Sequence, residues 1–327
     1  MKNKTGKLVG EILIFALIIC LVLIFYYNKI LKNLEEENLN FKNRLKGMSV
    51  TMIGGSNMKE KGNVNSCGYI IRTQNGKLIL VDGGRDIDAP IVLDYINRFG
   101  NGRVDYWLIT HAHEDHVGAL TTLLETENIV IENICYSLNS LEWYKEYDKR
   151  GYPSEEKMIT LLQNSEKIKN KIECQKDQII SIDNIDCEII RIANPEVIHS
   201  DNGNDSSMVF KLIARDVNKS MIFLGDAYVY TSKELMEEPE KLKADAVQMA
   251  HHGQNGVTEE VYKAIAPELC FFNTPEWLYN NDNGNGYDSG KWQSIIVRGW
   301  LEALGTKNIL AFEGDRTVNF TEYGLQY

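Results

Sequence analysis

Three of the six histidines in this 327-residue chain fall within six positions, in His111-Ala112-His113-Glu114-Asp115-His116. Imidazoles and carboxylates at this density point to metal ligation, because each buried one otherwise needs its own partner. The apolar run Tyr106-Trp107-Leu108-Ile109-Thr110 comes immediately before them and stops where the ligand-type residues begin. A strand end feeding a tight loop lets His111, His113, Asp115 and His116 converge from a rigid base. Neutral imidazoles with carboxylates suit zinc, manganese or iron rather than calcium.

Two further strand ends carry the same chemistry. Val247-Gln248-Met249-Ala250 runs into His251-His252-Gly253, and Met221-Ile222-Phe223-Leu224-Gly225 runs into Asp226, a carboxylate placed to bridge two cations. Asp82, in Val81-Asp82-Gly83-Gly84, closes another strand. Its reading is open between orienting a ligand histidine from behind and capping its own turn.

Taken in chain order, V-D-G-G, H-x-H-x-D-H, G-D and H-H-G resemble the metallo-β-lactamase-fold hydrolases over residues 48–325. Within that superfamily, Asn204-Asp205-Ser206-Ser207-Met208-Val209, Leu224-Gly225-Asp226, Leu242-Lys243-Ala244-Asp245 and His251-His252-Gly253 are similar to the hydrolase domain of competence-type DNA-uptake proteins. They also resemble surface phosphorylcholine esterases. The resemblance implies an α/β protein, an αββα sandwich with a site for two divalent metal ions at one edge, zinc being expected and manganese an alternative. It further implies that His111 and His113 hold one ion, Asp115 and His116 the other, with Asp226 shared and His252 completing the second ion's ligands. Asp115 and His251 are then the catalytic residues, His251 binding substrate or protonating the leaving group. Many members supply one more histidine to the first ion from the loop before the Asp226 strand, where this chain has Asn202-Gly203-Asn204-Asp205. Asp205 is the candidate to substitute, with Asn204 and His199 as alternatives.

These residues need strands to carry them. The segments 49–54, 68–73, 77–82, 104–110, 178–182, 187–193, 207–214, 220–226, 244–250, 268–273 and 308–313 read as strands, with Gln74-Asn75-Gly76 as a hairpin turn. Residues 89–99, 117–125, 232–243, 257–266 and 290–304 read as helices. Two β-rich halves, each ending in helix–strand alternation, predict two sheets packed face to face with helices outside. The polar, helix-prone stretch 137–172 reads as an insertion beside this core, open to a role in partner recognition. The hydrolase unit is 47–327.

The N-terminus sets the expected compartment. Residues 8–27 form an apolar run long enough to cross a bilayer, which takes roughly 20 residues. Lys2, Lys4 and Lys7 precede it and Glu35-Glu36-Glu37 follow, so the positive-inside rule puts the bulk of the chain outside the cell. The run ends in Phe25-Tyr26-Tyr27 without the small residues of a cleavage site, and 1–27 therefore reads as an uncleaved membrane anchor. Residues 28–46 read as a short helical stalk that permits self-association.

Charge and missing motifs narrow the function. Beyond residue 46 the chain has 27 Lys or Arg against 42 Asp or Glu, so strong, processive nucleic-acid binding is not expected. There is no G-x-S-x-G nucleophile elbow, and Ser289-Gly290-Lys291-Trp292 lacks the rest of a phosphate-binding loop. The six cysteines form no C-x-x-C pair and read as buried apolar residues, with a Cys174–Cys187 disulfide left open. The reading is an extracellular, membrane-anchored hydrolase of a small-molecule or cell-envelope phosphoester, the water shared by the two ions being the nucleophile. Trp277, Tyr279, Tyr287, Trp292 and Trp300 could cage a quaternary ammonium or stack on a sugar. The alternatives are another ester class (lactone, thioester or β-lactam) and a non-catalytic binding protein with a degraded metal site.

Overall fold

The computed structural model describes residues 13, 15–17, 19–34, 46–55, 64–198 and 202–327. The chain divides into two units, Met1–Arg44 and Leu45–Tyr327. In the first, helix α1 (Phe15–Leu34) is long and apolar enough to cross a membrane, with a mean hydropathy of 1.9. It runs past the apolar segment into the expected stalk, whose residues 35–45 lie outside the described residues, as do 8–12 of the anchor.

In the second unit, β1 (Met48–Met52), β2 (Gly68–Thr73) and β3 (Leu78–Asp82) are followed by α2 (Ala89–Gly100), β4 (Arg103–Leu108), α3 (Glu114–Thr126) and β5 (Val130–Tyr136). Then come α4 (Leu141–Tyr147), α5 (Tyr152–Asn164), β6 (Ile168–Glu173), β7 (Ile179–Ile182), β8 (Ile185–Arg191) and the single turn α6 (Asn202–Asp205). The rest is β9 (Val209–Ala214), β10 (Lys219–Phe223), α7 (Val229–Leu235), β11 (Ala246–Gln248), α8 (Glu259–Ile265) and β12 (Leu269–Phe272). It ends with α9 (Glu276–Tyr279), α10 (Ser294–Ala303), β13 (Lys307–Leu310), β14 (Arg316–Thr321) and β15 (Gly324–Gln326).

One sheet has the order β15-β14-β1-β2-β3-β4-β5-β6 and the other β13-β12-β11-β10-β9-β8-β7. Between them lies a shared core in which Tyr69, Ile71 and Ile79 of the first sheet meet Phe210, Phe223 and Phe271 of the second. The outer face of the first sheet is covered by α2, α3 and α5 through Val92, Leu120 and Met158, and that of the second by α8 and α10 through Val261 and Val297. This is the expected αββα sandwich.

Three local differences bear on the site. Helix α3 begins at Glu114, not 117, because His113 takes the extended N-cap conformation and its carbonyl accepts from His116 N and Val117 N. Asp115 and His116 therefore sit on the first helical turn rather than in a loop. Segment 137–172 is woven into the sandwich, since Met158 and Leu162 pack on the first sheet's outer face and the segment continues into β6, paired in parallel with β5. The hairpin β14–β15 was not expected; β14 pairs antiparallel with β1 and buries Val318 and Phe320, while its intervening residues are polar. Cys67, Cys135, Cys174, Cys187 and Cys270 are buried free thiols.

Candidate metal centre

The site is assembled where strands of both sheets end. Strands β3 and β4 run parallel with Val81 beside Leu108, so Asp82 and Thr110 emerge together. Asp82 accepts from Thr110 N and Thr110 Oγ1, both at 2.8 Å, and from His116 Nδ1 at 2.7 Å. An imidazole that donates from Nδ1 keeps its lone pair on Nε2. Asp82 thus holds His116 with Nε2 free to act as a ligand. His111 is buried, with Nδ1 3.2 Å from Thr110 Oγ1.

The second sheet supplies the rest. Beyond β10, Asp226 N donates to Ser207 Oγ at 3.0 Å, fixing the turn that carries the carboxylate. The buried Gln248 side chain clamps the same turn: Oε1 accepts from Leu224 N and Gly225 N, while Nε2 donates to Gly225 O and Met249 O. His251 and His252 both take left-handed backbone, with φ of 48° and 60°. Non-glycine residues held this way mark a loop whose shape is fixed by its surroundings. Here His251 N bonds to Gly225 O, and His252 Nδ1 donates to Asn273 O at 2.8 Å. His252 therefore also presents Nε2 inward.

The inward atoms meet at Asp226. Its Oδ1 lies 3.1 Å from His116 Nε2, and its Oδ2 lies 3.3 Å from His252 Nε2 and 3.9 Å from His251 Nε2. Asp115 Oδ2 is 3.3 Å from His252 Nε2. Ligand atoms of His111, His116 and Asp226 lie within 4.8 Å of one another, as do those of Asp115, His116 and His252. His111 Nε2, His116 Nε2, His252 Nε2 and Asp226 Oδ1 are buried without a hydrogen-bond partner. Four orphaned polar atoms converging on one point would be costly in a finished core, and divalent cations satisfy all of them at once. The residues fit the two-ion group.

Charge pairing holds the site's imidazoles and carboxylates together. Burial opposes charge on His116 and His252, but Asp226 outweighs it, holding His116 well above the usual imidazole range and His252 at about 9. Burial likewise opposes charge on Asp226, and His252 with His116 overcomes it, keeping the carboxylate ionised. His111 goes the other way, pushed down by burial and by His116 and His113, and stays neutral.

Other expected residues are placed elsewhere. His113 packs beside His111, ring centroids 4.7 Å apart, but its Nε2 lies 2.7 Å from Asp148 Oδ2 and 3.8 Å from Glu155 Oε1. Burial and the adjacent Asp148 raise the Glu155 carboxyl to about 9. Asp205 Oδ1 accepts from Tyr228 N, Thr231 N and the Thr231 hydroxyl at the start of α7. Asn204 Nδ2 lies 3.3 Å from His251 Nε2, and His251 Nδ1 donates to Asn255 O at 2.7 Å. His199 lies outside the described residues. Sequence reasoning missed Thr110, Ser207, Gln248, Asn273, Asp148 and Glu155. Of these only Asp148 carried a signal, Asp148-Lys149-Arg150-Gly151, the turn chemistry of a helix end.

Residues 62–266 match the Metallo-beta-lactamase superfamily. ComE operon protein 3 of Bacillus subtilis (strain 168) is 25% identical over 189 residues, 56% of this chain and 22% of that protein, so the match spans about a fifth of the relative. Among solved structures, unliganded yeast PDE1 aligns with a TM-score of 0.50 at 11% identity, covering 84% of this chain and 100% of that one. The CmlA beta-hydroxylase E377D mutant gives 0.50 at 13% identity, covering 84% and 54%. With more than half of its length matched and the metal-ligand residues gathered at one sheet edge, this chain belongs to the metallo-beta-lactamase superfamily.

Proposed function

We propose that the chain is a membrane-anchored phosphodiesterase whose hydrolase unit lies outside the cell. The observation that carries the metal-dependent reading is the convergence of four orphaned buried atoms, His111 Nε2, His116 Nε2, His252 Nε2 and Asp226 Oδ1. His111 and His113 would hold one divalent cation and Asp115, His116 and His252 the other, with Asp226 shared; imidazole-rich sets favour zinc, with manganese as the alternative. When bound, such a pair lowers the pKa of a shared water and screens the attacking and leaving oxygens of a phosphoryl centre.

The chain's own groups prepare this arrangement. Asp82 and Asn273 O take the Nδ1 protons of His116 and His252, leaving both Nε2 lone pairs inward. Asp226 lies between these two histidines, with Oδ1 toward His116 and Oδ2 toward His252. His251 is the part-exposed member, its Nδ1–H fixed on Asn255 O and its Nε2 facing the site. It is the group placed to hold or pass a proton at the leaving oxygen. Asn255 Oδ1 also accepts from Gln293 N, tying this histidine to the loop after α9 that carries exposed Tyr287 and Trp292, with Trp277 in α9 beside it. That loop is the recognition rim in this reading, though Trp277 and Trp292 pack on each other with centroids 4.9 Å apart.

The phosphodiester class rests on the resemblance of residues 204–209 and His251-His252-Gly253 to competence-type hydrolase domains and phosphorylcholine esterases, not on the fold, which a beta-hydroxylase shares. The acidic unit favours a small or envelope-bound ester over long nucleic acid. The test assays full-length protein in detergent against bis-p-nitrophenyl phosphate, p-nitrophenyl phosphorylcholine, short DNA and a lactone, with Asp226→Ala and His113→Ala as controls. Phosphodiester cleavage lost in both variants is the expected result. Cleavage of the lactone alone moves the chain to another ester class, and inertness on all four favours a binding protein.

A further inference from the structure

We propose that Asp148, carried by the α4–α5 segment, is a positioning residue that fixes His113 as an Nδ1 ligand of the first cation; this rests on the two-ion reading above. Asp148 Oδ2 lies 2.7 Å from His113 Nε2, and Asp148 Oδ1 accepts from Gly151 N at 3.0 Å. Its backbone is pinned as well, N donating to Tyr144 O and O accepting from Tyr152 N. With Nε2–H held by a carboxylate, the lone pair of His113 resides on Nδ1.

Two close backbone approaches flank the pairing. A Cβ at Gly203 would stand 1.8 Å from Asp148 Oδ2 and 2.2 Å from His113 Nε2. A Cβ at Gly151 would stand 2.5 Å from His113 Nε2 and 2.7 Å from Asp148 Oδ2. The backbone thus closes on the His113–Asp148 pair from both the α4–α5 segment and α6, and a larger residue at either place would push the pair apart. His113, Asp148 and Glu155 do lie within 4.8 Å of one another. Yet the 2.7 Å contact is a charge-assisted hydrogen bond in length, with the carboxylate on the imidazole itself. The stretch 137–172 is therefore part of the metal centre.

The experiment uses full-length protein in detergent and measures zinc stoichiometry and affinity by competition with a chelating dye. Asp148→Ala, Asp148→Asn, Asp148→Glu and His113→Ala are compared, with ¹⁵N-histidine NMR reading the His113 tautomer. Orienting partners of ligand histidines are worth roughly 10–100-fold in metal affinity. The expected result is a loss of that size at one of two equivalents in Asp148→Ala, a smaller one in Asp148→Asn, partial rescue by Asp148→Glu, and a wild-type His113 protonated at Nε2. Two equivalents bound by Asp148→Ala with wild-type affinity overturn this inference while leaving the two-ion reading intact. No zinc bound by wild type removes that reading and this one with it. An equivalent lost in Asp148→Ala but retained in His113→Ala makes Asp148 a ligand itself, which also overturns the proposal. Asp148→Asn, close in shape, decides the matter if the alanine variant does not fold.

Discussion

Two carboxylates hold two histidines of this site, each at 2.7 Å, and they come from different parts of the chain. Asp82 ends a central strand of the first sheet, is fully buried, and grips His116 together with both polar groups of Thr110. Asp148 ends a helix in the α4–α5 segment, is partly exposed, and grips His113 with help from Gly151 N. One histidine is therefore oriented by the sandwich itself, and the other by an attachment to it. The same chemical device is rigid where three buried groups share one carboxylate and more adjustable where a helix end supplies it.

This contrast can be broken by mutation. The shared element, Asp226, comes first: Asp226→Ala removes the oxygens facing His116 and His252 and should lower kcat/KM by roughly 10³-fold or more, the equivalent of several kcal/mol of charge stabilisation. An intermediate loss would show that the two sides act separately. Next, Asp82→Ala strands Thr110 N–H, Thr110 Oγ1 and His116 Nδ1 in the core, each worth about 1–3 kcal/mol when unsatisfied. Denaturant unfolding should show a loss of about 3 kcal/mol or more. Asp148→Ala, beside solvent, should cost clearly less stability, and equal losses would erase the proposed difference between the two holders.

The last test is a pH slope. Glu155 has a folded-state pKa of about 9, against an unfolded value of 4.5, because burial and then Asp148 disfavour its charge. Between those values the native state binds a proton that the unfolded state lacks, so stability falls as pH rises and levels off above 9. Thermal unfolding of metal-free protein from pH 5 to 9 should show this decline in wild type and a flatter profile in Glu155→Gln. Parallel profiles would place the Glu155 titration elsewhere.

The difference between the two holders also explains what the sequence disclosed. His111, His113, Asp115, His116, Asp226, His252 and Asp82 all follow apolar runs, and a strand that ends in a polar residue delivers it to the sheet edge, so local pattern sufficed to bring out the sandwich and the site edge. Asp148 lies in a polar stretch with no such run, and its contact with His113 spans 35 residues, so its turn signal marks a helix end without revealing the contact. Gln248 looked like a strand residue because its four hydrogen bonds all go to backbone of the strand ends beside it. The start of α3 was hidden because it is set by the extended backbone of His113, a residue outside the usual N-cap set. Strand β14 alternates apolar and polar residues over only a few positions, a weak signal that its pairing with β1 completes.

The most direct test of the account is the metal content of full-length protein in detergent, measured by elemental analysis after zinc loading and desalting. The orphaned atoms around Asp226 predict two zinc ions per chain in wild type and fewer in Asp226→Ala and His252→Ala. Wild type without bound metal, or both variants retaining two ions, would contradict it.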